Sequence, residues 1–129
     1  MPRLGTLTAA FATALALACP SVARAARCGV PESMRSAHPG VARISATDVD
    51  CDVARDVARG IIRRHRAGMP IASDLGRPQP TFTVRAVRRD WRGRYTCRGR
   101  YVELNPDGDL AYELRCAQRR RVIRVRLYS

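Results

Sequence analysis

The chain has 129 residues, a formal net charge of +13, and only 5% aromatic residues. At that length it holds one small domain and excludes a large multidomain enzyme. All 24 cations are arginine, and the five cysteines contain no C-x-x-C spacing, which argues against a structural zinc site.

Met1 to Arg3 gives a short positive start, and Leu4 to Ala18 is apolar apart from Gly5 and three threonines. Small residues follow in "CPSVARAA", so residues 1–25 read as a secretory signal peptide cleaved after Ala23 or Ala25. An uncleaved anchor is the alternative, but a membrane span wants about 20 apolar residues, more than this run supplies. "ALAC" at 16–19 also invites lipidation of Cys19, with Ala16 where a lipobox prefers a larger aliphatic residue. Removing residues 1–25 takes Arg3 and Arg24 with it and lowers the formal charge from +13 to +11. Four cysteines then remain, Cys28, Cys51, Cys97 and Cys116, an even number that in an exported chain reads as two disulfides.

Residues 26–40, "ARCGVPESMRSAHPG", read as an irregular lead-in, and 41–129 as a single α+β domain. "VARIS" (41–45) resembles a short strand. Thr47 or Asp50 then caps a helix over "CDVARDVARGIIRRHR". Cys51, Ala54, Val57, Ala58, Ile61, Ile62 and His65 recur at spacings of three and four, on one helical face. Gly60 costs that helix about 1 kcal/mol relative to alanine, so it depends on packing. "AGMPIASDLGRPQP" (67–80) is a loop, "TFTVRAV" (81–87) a strand, and "RRDWRGR" (88–94) a turn or longer loop.

"NPDG" at 105–108 is a turn, with Pro at its second position and Gly at its last. Centring a hairpin there sets Cys97 opposite Cys116, Tyr101 opposite Tyr112 and Glu103 opposite Leu110. Opposed residues of an antiparallel pair stand within disulfide reach, so the register itself predicts Cys97–Cys116 and leaves Cys28–Cys51 by elimination. The rival pairing joins Cys51 to Cys97 or Cys116. A second turn at "QRRR" (118–121) sets Ala117 opposite Val122 and extends the apolar face across a third strand. The opposite face then carries Arg98, Arg115 and Arg124 in one row, and Arg100 and Arg126 flanking Glu113 in the next. The expected fold is α+β, one helix packed on an antiparallel sheet of three to five strands, stabilised by disulfides.

"ISATDVDCDVAR", then "GRYTC" and a last cysteine before a basic β-rich tail, resembles a group of small secreted actinobacterial proteins of unknown activity. Their pattern is a Cys-x-x-Ala-Arg helix, matched by Cys51, Ala54 and Arg55, and a Gly-aromatic-x-Cys strand, matched by Tyr95 and Cys97. Cys116 matches a further strand cysteine, and Arg94 stands at the glycine position. The resemblance spans about residues 41–129 and implies fold and export, not a mechanism.

No catalytic constellation is present in the sequence. His65 closes the apolar helical face, Ser33, Ser36, Ser45 and Ser73 sit in no nucleophile motif, and Asp48, Asp50, Asp52 and Asp56 suit the positive end of a helix. The expectation is therefore not an enzyme, with no metal, no cofactor and no evident small-molecule substrate. Arg98, Arg100, Arg115, Arg124 and Arg126 are the candidate binding residues, because guanidinium grips phosphates and carboxylates bidentately. Their expected partners are anionic envelope polymers or lipid head groups outside the cytoplasm. A solvated face and an arginine excess imprinted by a GC-rich genome are the bland alternatives. The second functional class is a secreted hydrolase inhibitor or protein-interaction domain, presenting Arg77 on the loop "SDLGRPQP" (73–80) to a protein partner.

Overall fold

The computed structural model describes residues 2, 5, 24–73, 77–87, 92–103 and 110–128. The expected signal peptide and the "NPDG" turn therefore lie almost wholly or wholly outside the described residues. The elements in chain order are β1 (Ala26–Cys28), α1 (Glu32–Arg35), β2 (Gly40–Thr47), α2 (Cys51–Arg66), β3 (Thr81–Val87), β4 (Arg92–Glu103), β5 (Leu110–Gln118) and β6 (Arg121–Tyr128). The strands form one antiparallel sheet in the order β1-β2-β6-β5-β4-β3. Among the described residues no helix is long and apolar enough to cross a membrane.

Six strands among the described residues correct the expected three to five. The extra edge strand is β1, in the stretch read as irregular lead-in. Three residues carry no periodicity to read, and what sets β1 in place is non-local: pairing to β2 and the Cys28–Cys51 disulfide into the first turn of α2. β4 also starts earlier than expected, at Arg92, so Gly93 and Arg94 belong to the sheet.

The helix occupies the span its periodicity predicts. Val53, Ala54, Val57, Ala58, Ile61 and Ile62 are buried, while Cys51 and His65, at its two ends, are only partly so. Asp50 holds the N-cap position with extended backbone but makes no side-chain cap hydrogen bond. Across the interface lie Ile44, Phe82, Val84, Tyr95, Leu114, Ile123, Val125 and Leu127, all buried in the same cluster. Each fully buried aliphatic side chain here contributes roughly 1.5 to 3 kcal/mol.

The hairpin register follows the expected arithmetic along its whole described length, from Cys97 opposite Cys116 to Glu103 opposite Leu110. Cys97 and Cys116 are disulfide-bonded, with Cα atoms 4.0 Å apart. β5 and β6 pair with Ala117 opposite Val122 and Leu127 opposite Tyr112. The polypeptide between α2 and β3 is drawn back onto the sheet: Ile71 is buried, Ser73 bridges to Arg100, and the Tyr101 amide donates to the Ser73 carbonyl at 3.3 Å.

Candidate functional site

The helix covers one face of the sheet, and the alternate residues of β2, β4, β5 and β6 turn to the other. There they line a concavity of about 770 Å³ that contains Arg43, Arg98, Arg100, Arg115, Arg124 and Arg126. All five arginines singled out from the sequence are thus on one surface. Four are exposed and Arg126 is half-buried.

The register orders them into two rows across the strands. In the first, Ser45, Arg124, Arg115 and Arg98 are successive cross-strand neighbours. In the second, the succession is Arg43, Arg126, Glu113 and Arg100. Adjacent strands stand about 4.8 Å apart, and like charges directly opposed on a sheet are unfavourable. In the second row Glu113 relieves part of that repulsion, while Arg43 and Arg126 stay directly opposed. Glu113 accepts a hydrogen bond from Arg126 on one carboxylate oxygen and from Arg100 on the other at 3.0 Å. These bonds, Arg126 foremost, hold the Glu113 carboxyl below its ordinary range, against the opposing effect of burial. In the first row no carboxylate among the described residues pairs with Arg98, Arg115 or Arg124. Arg126 Nε is buried and has no acceptor among the described residues.

Arg43, Ser45, Thr96 and Gln79 line the same concavity but were not singled out from the sequence. A β-bulge between Val41 and Arg43 is the reason for the first: it puts Val41 against Leu127 in the core and Arg43 against Arg126 on the open face. The apolar Ile44 beside Arg43 was the available signal. No aromatic side chain lines the concavity among the described residues.

The other sequence candidates lie elsewhere. His65 stacks edge-on with Tyr112, ring centroids 5.7 Å apart, on the helix side of the sheet. Tyr112 in turn packs on Tyr101 at 4.7 Å, and burial, before any effect of Tyr101, raises the Tyr112 hydroxyl pKa. Asp52 pairs with Arg55 at 2.9 Å within α2, a helix-surface contact. Arg77 is exposed, and its carbonyl accepts from Ser73 Oγ at 3.4 Å; residues 74–76 of that loop lie outside the described residues. Among the described residues no cluster of His, Cys, Asp or Glu could hold a metal ion. No family model, curated protein or solved structure matches the chain.

Proposed function

We propose that the protein is an exported, non-enzymatic module that binds an anionic polymer in its arginine-lined concavity. The observation that carries this reading is the row Arg98–Arg115–Arg124: three guanidinium groups on adjacent strands, with no carboxylate partner among the described residues. The Cys97–Cys116 disulfide joins the two strands that carry Arg98 and Arg115, so those guanidinium groups are held side by side and an external anion relieves their repulsion. A polymer fits better than a bilayer surface, because the exposed large apolar side chains among the described residues, Met69, Leu110 and Tyr128, do not line the concavity. With no aromatic side chain among the described lining residues, recognition rests on charge and hydrogen bonding, not on stacking of rings or bases.

Retention of the purified protein on an anionic polymer matrix tests the reading. Binding is expected to weaken steeply as salt rises, since each neutralised charge releases a counterion. The triple variant R98E/R115E/R124E is expected to flow through. Retention by that variant equal to the parent's would refute the proposal.

A further inference from the structure

Glu113 is the one carboxylate among the described residues lining the concavity, and it divides the arginines into two groups. Arg100 and Arg126 already share their donors with it. Arg98, Arg115 and Arg124 do not. On the far side of their row the next cross-strand succession, Thr47, Val122, Ala117, Thr96 and Thr83, carries no charge at all. Among the described residues, the guanidinium groups that meet no carboxylate are therefore concentrated along a line, with Arg43 the one further lining arginine outside it. The line runs perpendicular to the strands, one guanidinium per strand at about 5 Å intervals, between an uncharged row and a row in which Glu113 engages two of three arginines.

Resting on the binding proposed above, the geometry points to Glu113 as a specificity-determining residue that reserves the Arg98–Arg115–Arg124 line for a linear phosphodiester polymer with one charge per unit. A single file of phosphodiesters gives each guanidinium one bidentate partner, and the uncharged parts of the units lie over the threonine and alanine row. A densely charged chain such as inorganic polyphosphate brings more negative charge than the line can neutralise. Its surplus falls beside Glu113, which repels it and occupies Arg100 and Arg126, leaving only Arg43 of that row to absorb it.

The test compares the purified, oxidised protein with E113Q, R100Q and R115Q against three probes over a range of salt: soluble poly(glycerol phosphate), inorganic polyphosphate of matched unit number, and phosphatidylglycerol vesicles. The parent is expected to prefer the diester polymer, with a logarithmic salt slope of about −2, the value for three neutralised charges on a single chain. R115Q is expected to lose roughly tenfold in diester binding while R100Q loses little, because Arg100 is already engaged. E113Q is expected to keep diester binding and to gain polyphosphate binding by roughly tenfold, with a slope steeper by about 1. An unchanged diester-to-polyphosphate ratio in E113Q, equal losses in R100Q and R115Q, or vesicle binding as tight as polymer binding would each overturn the inference. The R100Q and R115Q comparison stands even where E113Q is poorly folded. Absence of salt-sensitive binding to every probe by the parent would instead overturn the underlying reading.

Discussion

The carbonyl oxygen of Ile71 occupies the place where Gly99 would carry a side chain: a Cβ at Gly99 would stand 1.9 Å from it, with the Ile71 carbonyl carbon at 2.9 Å. Backbone cannot yield as a flexible side-chain tip does. The segment that approaches is also anchored, by burial of Ile71 and by the Ser73–Tyr101 hydrogen bond. Gly99→Ala is therefore expected to dislodge residues 71–73 from the sheet and to cost about 3 kcal/mol or more in urea denaturation. A loss below about 1 kcal/mol would mean that the segment shifts freely and is not part of the fold's frame.

Gly60 supplies the same kind of contact between layers. A Cβ there would lie 2.5 Å from Val84 Cγ1, so the missing side chain lets α2 settle onto β3. Helix propensity alone predicts that Gly60→Ala stabilises by about 1 kcal/mol. The clash with a stiff β-branched neighbour reverses the sign, and a net loss of about 1 to 2 kcal/mol is expected. Pairing it with Val84→Ala should return part of that loss, so the double variant is more stable than the sum of the single changes predicts. Simple additivity in a denaturation cycle would rule the contact out as the cause.

These contacts mark where sequence reading stops. The register of β4, β5 and β6 was legible because a turn signal, two cysteines and a two-residue alternation each specify it, and a slip of one position would bury the arginines. That agreement places Arg98, Arg100, Arg115, Arg124 and Arg126 on one face from the sequence alone. Arg43 was only partly legible: the buried Ile44 and Ala46 turn it outward, but the bulge at Ala42 breaks that alternation back to Val41, and no local signal sets β2 beside β6. β1 was not legible either, since its three residues owe their conformation to partners distant in sequence. Gly60 reads from sequence only as a cost to the helix, and nothing local shows that its absent side chain is what admits Val84.

The two disulfides close loops of similar length, with sequence separations of 23 and 19, so chain entropy alone assigns each about 3 kcal/mol. Their positions distinguish them. Cys97–Cys116 ties two interior strands that already share a full ladder, whereas Cys28–Cys51 is the covalent tether of a three-residue edge strand. C28A/C51A is expected to expose the amides of Ala26–Cys28 to hydrogen exchange while β4 and β5 stay protected. C97A/C116A is expected to lower global stability by about 2 to 4 kcal/mol with exchange accelerated throughout the sheet. Retained protection at β1 in the first variant would show that strand pairing suffices to hold the edge.

Glu113 gives the concavity a defined pH response. Its carboxyl lies below the ordinary 4.5 because Arg126 foremost, and then Arg100, hydrogen-bond its charged form. A carboxylate whose pKa is lower in the folded protein than in the unfolded chain stabilises the fold above the unfolded value. That contribution disappears as pH falls through the folded value. The stability difference between the parent and E113Q is therefore expected to be constant above about pH 6 and to shrink toward zero as the solution is acidified below the ordinary carboxylate range. Its neutral-pH size should be about 1 kcal/mol or less, since the Arg100 side chain is 60% exposed and solvent screens its share of the interaction. Urea denaturation of both proteins at intervals from neutral to strongly acidic pH measures it. A difference that persists undiminished in acid would mean that the substitution disturbs packing in the concavity and that the paired charges contribute nothing to the fold.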